Sequence, residues 1–169
     1  NNLTFDFQQR IRHILSNLNR NSRVVTRQIG DFPVLSTIQF RKLFKGSQGY
    51  KIHCENMHMA NCEEFNKRLG PQGEVPIDAL SYFLVLDDAE GGELSVFDIA
   101  WDWSTESKEK LFAERNVPSC LVSLKAGDMF VFAAGERWHK VSAVRSNKPR
   151  VTVGSFLKLN EKNDLEVWI

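Results

Sequence analysis

Leu80-Ser-Tyr-Phe-Leu-Val-Leu86 breaks at Glu90-Gly-Gly92 and resumes as Leu94-Ser-Val-Phe-Asp-Ile99. Each half is a short run rich in aliphatic, β-branched and aromatic residues, and the glycine pair between them is turn material. The interval leaves no room for a crossover helix, so this region reads as all-β. The same texture runs outward in both directions. Upstream lie Arg23–Ile29, Thr37–Phe44 and Tyr50–Cys54; downstream lie Cys120–Leu124, Met129–Phe132, His139–Val144 and Arg150–Leu157. Gly, Pro, Ser and charged residues separate them at Lys45–Gly49, Gly70–Gly73, Lys125–Asp128, Gly135–Arg137 and Ser146–Pro149. Many short strands at fairly even spacing predict a sandwich, jelly roll or barrel.

Helices flank this β region. Phe7, Ile11, Ile14, Leu15 and Leu18 form one apolar stripe at helical spacing, with a start signal at Thr4 and Asp6 and a stop at Asn19–Ser22. A second helix is predicted over Met59–Leu69, and the charged stretch Thr105–Arg115 reads as a solvated insertion. The expected class is mainly β with flanking α-helices, in a single domain over residues 1–169.

Composition sets the outer limits. The chain has 169 residues, 42% hydrophobic and 25% charged, which is ordinary for a globular domain. Its 22 Lys and Arg against 21 Asp and Glu give a net charge of +1, without the basic excess that marks a nucleic-acid binder. Apolar runs such as Leu80–Leu86 fall far short of the roughly 20 residues that span a bilayer, so no membrane partner is expected. The three cysteines, Cys54, Cys62 and Cys120, contain no CxxC pair. That argues against a disulfide framework or structural zinc site and for a reducing compartment. No charged-then-apolar leader precedes the first helix, and the expected location is cytoplasmic.

The four histidines are few enough to weigh singly. His13 lies off the apolar stripe beside Arg10 and Arg12 and reads as a surface residue; His58, flanked by methionines, reads as structural or pocket-lining. His53 and Glu55 are more suggestive, because on a strand residues i and i+2 project from the same face. His139 follows the aromatic run Met129-Phe-Val-Phe132 and a glycine turn. In a β-sandwich such a distant strand can return beside the first. Two histidines and one carboxylate with open positions form the facial triad of non-haem Fe(II) chemistry. An HxE pair alone arises often by chance, but Arg150 and Thr152 share a strand face a short way beyond His139. A guanidinium and a hydroxyl aimed inward want an anion, and a carboxylate matches the guanidinium fork.

His53-x-Glu55, then His139, then Arg150-Val-Thr152 resembles, in order and spacing, the 2-oxoglutarate-dependent Fe(II) oxygenases. Leu80–Leu86 with Glu90-Gly-Gly-Glu-Leu94 is similar to the strand and GGEL turn of their prolyl-hydroxylase-like branch. Lys125–Phe132 and His139-Lys-Val-Ser-Ala-Val144 resemble the segments around the distal histidine. Ser81-Tyr-Phe, Gly91–Asp98 and Trp101 look most like the carrier-independent aliphatic halogenases and hydroxylases that tailor indole alkaloids. The likeness covers most of residues 5 to 157.

The resemblance implies a double-stranded β-helix (a cupin-like jelly roll) in which His53, Glu55 and His139 bind Fe(II). It implies 2-oxoglutarate as cosubstrate, its 5-carboxylate held by Arg150 and Thr152, with Tyr82 or Ser81 lining the cofactor pocket. Asn56, His58, Trp101 and Trp138 are the candidates to touch substrate. The implied activity is O2-dependent hydroxylation of an unactivated C–H bond in a small molecule of natural product biosynthesis. The halogenases carry Gly or Ala where Glu55 stands, leaving a position for chloride, so Glu55 favours hydroxylation. Desaturase and halogenase variants share the chemistry and stay open. So do a cupin-like domain whose metal site is not catalytic and a zinc hydrolase, which the ligand set alone permits. The alkaloid group usually has a longer N-terminal region before the first helix, so the expectation is a family extension that is shorter here or lies outside this stretch.

Overall fold

The computed structural model describes residues 7–26, 38–47, 49–57, 79–101, 112 and 116–168. The predicted helix Met59–Leu69, the insertion Thr105–Arg115 apart from Phe112, the start signal at Thr4 and Asp6, Cys62 and His58 lie outside the described residues.

One helix, α1 (Phe7–Leu18), precedes ten strands: β1 (Val24–Thr26), β2 (Gln39–Leu43), β3 (Tyr50–His53), β4 (Leu80–Asp87), β5 (Leu94–Ala100), β6 (Ser119–Val122), β7 (Met129–Phe132), β8 (Arg137–Val141), β9 (Arg150–Leu159) and β10 (Leu165–Trp168). The helix ends where predicted, at a left-handed turn with Arg20 and Asn21 at φ 51° and 62°. Asn tolerates that region because its short polar side chain bonds locally. Nine of the strands lie where the sequence places them, with His139–Val144 shifted to begin at Arg137. The tenth, β10, has no counterpart in the sequence reading.

The strands form two sheets. The first runs β1-β10-β9-β4-β7, with β2 also paired to β9; the second runs β3-β8-β5-β6. Apart from the parallel β1–β10 pair, all pairings are antiparallel. β9 is the spine of the first sheet, bonded to β4 along one edge and to β2 and then β10 along the other. Because side chains alternate along a strand, it serves two interiors. Val153 and Leu157 point outward and pack with Tyr82, Val167, Ile11 and Leu15, which joins α1 to the sheet. Arg150, Thr152 and Phe156 point the other way, toward the second sheet. The outer face of that second sheet is closed by another cluster, Cys54, Phe97 and Trp138, with Ile52, Trp101 and Phe112 against it. The inner faces enclose one cavity, lined by His139, Val141 and Leu94 from one sheet and Ser81, Phe83 and Phe156 from the other. This is the expected jelly roll. Among the described residues no helix is long and apolar enough to cross a membrane.

Candidate metal centre and its cavity

His53 and His139 are direct partners across the β3–β8 pair, and their ring centroids lie 4.2 Å apart. Tyr50 pairs with Val141 two residues further along β8, so β3 spends one residue more than its partner over this interval. This bulge keeps both Tyr50 and His53 on the cavity side, while Ile52 joins the outer cluster. Bulges re-aim side chains in this way beside functional sites.

Glu55 arrives differently from the prediction. The strand stops at His53, and Glu55 opens a short helical turn, Glu55 to Met57. Its amide donates to the Ala134 carbonyl at 3.0 Å, and the Met57 amide donates to the Cys54 carbonyl at 3.1 Å. A turn pinned to the loop between β7 and β8, rather than strand alternation, brings the carboxylate round to the imidazoles. Glu55 Oε1 lies 3.6 Å from His53 Nε2 and 3.9 Å from His139 Nε2. One donor atom from each of the three residues falls within 4.8 Å of the others.

The tautomers suit metal binding. His53 Nδ1 lies 2.6 Å from the Lys51 carbonyl oxygen, and His139 Nδ1 lies 2.9 Å from that of Arg137. A carbonyl only accepts, so each Nδ1 is the donor there, which leaves each Nε2, the atom turned toward Glu55, as the nitrogen placed for a metal. Metal-bound histidines are held by this kind of outer hydrogen bond. The Phe132 ring meets His139 edge-on, 4.9 Å between centroids at 89°, which fixes its plane. Two imidazole nitrogens, one carboxylate and no thiolate fit a borderline divalent metal such as Fe(II).

Arg150 sits further along the same interior and is only 7% exposed. Its guanidinium lies 5.6 Å from the Phe83 ring centroid, and among the described residues no carboxylate comes within ion-pair range of it. Burial pulls its pKa below the ordinary value, partly offset by the charge of Glu93. Glu93 is itself held ionised by a hydrogen bond from Ser142 and by Arg145. Gly92, at φ 75°, provides the space for Arg150, since a Cβ there would collide with its Cδ. Thr152 is buried two residues along the same face. The two side chains lie buried on the face of β9 turned toward the second sheet, and neither is among the residues that line the cavity with the histidines.

Several expected site residues are placed elsewhere. Tyr82 is 1% exposed and packs with Ile11, Leu15, Val153 and Leu157 on the α1 side. Burial there pushes its phenol pKa up. Its neighbour Ser81 lines the cavity instead, because adjacent strand residues point oppositely. Trp138 lies behind His139 in the outer cluster, 5.7 Å between centroids from Trp101 and from Phe112. Both tryptophans therefore pack the outside of the second sheet rather than face the cavity. Asn56 is buried beside Gly135 and Ala79 and does not line the cavity. His58 lies outside the described residues. The cavity also contains side chains that the sequence reading passed over: Arg41, Tyr50, Phe83, Phe132 and Phe156. Its volume of about 220 Å³ is below the roughly 300–1,000 Å³ of pockets that engulf drug-sized ligands. It suits a small chelating molecule with only part of a second one.

Residues 2–168 match the family model described as carrier-protein-independent halogenase WelO5. No curated protein matches the chain. Among solved structures, a novel N-substituted L-amino acid dioxygenase from Burkholderia ambifaria AMMD is similar, with a TM-score of 0.66 at 15% identity over 92% of this chain and 62% of that one. A second structure of that dioxygenase, in complex with alpha-KG, gives 0.57 at 17% identity over 95% of this chain and 66% of that one. The chain thus spans less than two thirds of the length of either. At these identities the likeness establishes the jelly-roll fold alone.

Proposed function

Because the chain belongs to the carrier-protein-independent halogenase WelO5 family, we propose that it is a 2-oxoglutarate- and O2-dependent non-haem iron oxygenase that hydroxylates an unactivated C–H bond of a small molecule in specialised metabolism. The observation that carries hydroxylation over halogenation is Glu55, whose carboxylate occupies the third ligand position, 3.6 and 3.9 Å from the two Nε2 atoms. A family member specialised for chloride would leave that position vacant. The buried Arg150 and Thr152 support the cosubstrate assignment, since a zinc hydrolase with the same ligands has no use for an anion anchor.

The residues divide the work as follows. His53 and His139 would present their Nε2 atoms to the metal, their Nδ1 protons held by the Lys51 and Arg137 carbonyls. Glu55 adds one negative charge and is kept in place by the Ala134 carbonyl. Arg150, 5.6 Å from the Phe83 ring centroid and supported by the Glu93 charge, would take the 5-carboxylate of 2-oxoglutarate in its fork, with the Thr152 hydroxyl as a second donor. The Phe83, Phe132 and Phe156 rings around the cavity limit water, which strengthens these polar contacts. Bound Fe(II), 2-oxoglutarate and O2 supply the oxidation itself, with 2-oxoglutarate leaving as succinate and CO2.

Chloride tests this reading without knowledge of the substrate. Added to the anaerobic protein with Fe(II) and 2-oxoglutarate, it should leave the visible charge-transfer band unmoved, whereas Glu55→Gly should become chloride-sensitive. A band in the native protein that shifts with chloride would overturn the hydroxylase assignment.

A further inference from the structure

Arg41 is the cation in the cavity for which the iron and 2-oxoglutarate have no use. It lies on β2, opposite Thr152 of β9, and therefore on the cavity face of the first sheet, where it lines the opening together with Tyr50. Two contacts orient it. Its Nε donates to Gln39 Oε1 at 2.9 Å, and its guanidinium carbon lies 5.6 Å from the Tyr50 ring centroid. Among the described residues no carboxylate lies within ion-pair range of Arg41, and none accepts a hydrogen bond from its terminal nitrogens.

The charges of the site give Arg41 a purpose. Glu55 is the only acid among the described lining residues, and it is directed at the two histidines. A divalent metal with Glu55 carries one net positive charge, which one carboxylate of a bound 2-oxoglutarate neutralises. Its other carboxylate neutralises Arg150. Among the described residues no acid is then left to compensate Arg41, which lines the cavity with its Nε on Gln39 and its guanidinium beside the Tyr50 ring, and a guanidinium fork suits bidentate binding of a carboxylate.

We infer that Arg41 binds an anionic group of the substrate, and that the substrate class is small molecules carrying a carboxylate. The inference rests on the oxygenase reading above and adds to it a charge that the substrate must bear. Tyr50, exposed beside the guanidinium, gives it a cation–π neighbour.

The test uses simple probes on the whole protein. Native protein saturated anaerobically with Fe(II) and 2-oxoglutarate is titrated calorimetrically with hexanoate and with hexanamide, which differ only in charge. Hexanoate should bind at least about tenfold more tightly, in keeping with a charge-assisted pair. In Arg41→Met the ratio should fall to about one, with the 2-oxoglutarate midpoint of the charge-transfer band within about threefold of native. Arg41→Lys, which keeps the charge and loses the fork, should retain only part of the preference and guards against misfolding of the first variant. A ratio near one in the native protein, or one that survives in Arg41→Met, overturns the inference. A tenfold rise in the 2-oxoglutarate midpoint in Arg41→Met also overturns it, by assigning Arg41 to the cosubstrate. Loss of the oxygenase reading looks different: the native protein would then develop no band before any probe is added.

Discussion

The two faces of the first sheet carry opposite solutions on the same strands. On the outer face, Tyr82, Val153 and Leu157 meet Ile11 and Leu15 of α1 and are closed off from water. On the inner face, one residue away along β4 and β9, stand Ser81, Thr152 and Arg150, and Arg150 has no carboxylate partner among the described residues. Burying an unpaired guanidinium is expensive, and a fold tolerates that cost where a ligand completes the site. The outer face stabilises the domain; the inner face holds unsatisfied chemistry in place against it. Substitutions on the two faces should therefore separate stability from cofactor binding.

The largest effect is expected on the outer face. Leu157→Ala removes a fully buried side chain between α1 and the sheet and should lower unfolding free energy by about 2–5 kcal/mol. Measured by urea denaturation, that loss should be accompanied by an unchanged 2-oxoglutarate midpoint in the fraction that stays folded. A strong cosubstrate defect would break the division.

Next comes Gly92, which borders the inner face. Gly92→Ala should weaken 2-oxoglutarate by about tenfold, the size of losing part of one charge-assisted contact, because the new methyl group displaces Arg150. Gly127→Ala is the matched control, since Gly127 also has a positive φ, 94°, but nothing within 4 Å of the added carbon. It should show backbone strain in its melting temperature with cosubstrate binding intact. Equal effects in both variants would mean that strain, rather than the position of Arg150, is what matters.

The smallest effect sharpens the boundary between the faces. Tyr82→Phe should cost no more than about 1.5 kcal/mol of stability, the range of one net hydrogen bond, and leave the 2-oxoglutarate midpoint unchanged. A tenfold weaker midpoint would return Tyr82 to the cofactor pocket.

Tyr82 also marks where the sequence ceases to be readable. The strand β4 is plain from its composition, but both of its faces are buried, so no polar alternation fixes which residues look inward. Ser81 and Tyr82 are equally plausible until the pairing Ser81 with Phe132 and Tyr82 with Val131 sets the phase. Arg150 and Thr152 are legible because a charge and a hydroxyl two apart between valines leave only one sensible phase. His53 and Glu55 are legible as a pair for a reason only half physical. Their spacing suggests one strand face, yet the structure brings them together through a bulge before His53 and a helical turn at Glu55, neither of which has a sequence signal of its own. Trp101 and Trp138 attract attention as large aromatics but follow the common rule that tryptophans pack. Arg41 hides in Gln39-Phe-Arg-Lys-Leu43, where two adjacent cations look like a solvated edge. The strand β10 is four residues after the polar turn at Asn160–Asp164, too short to announce itself.

The most direct test of the central claim, that His53, Glu55, His139 and the Arg150 anchor together form one Fe(II) and 2-oxoglutarate site, is an anaerobic titration of the metal-free protein with both, following the visible charge-transfer band. The native protein should develop the band, His53→Ala should lose it, and Arg150→Ala should shift its 2-oxoglutarate midpoint upward by about 10- to 100-fold, as expected for removal of a charged hydrogen-bonding partner. Stoichiometric iron binding with no band, or a midpoint that does not move in Arg150→Ala, would contradict it.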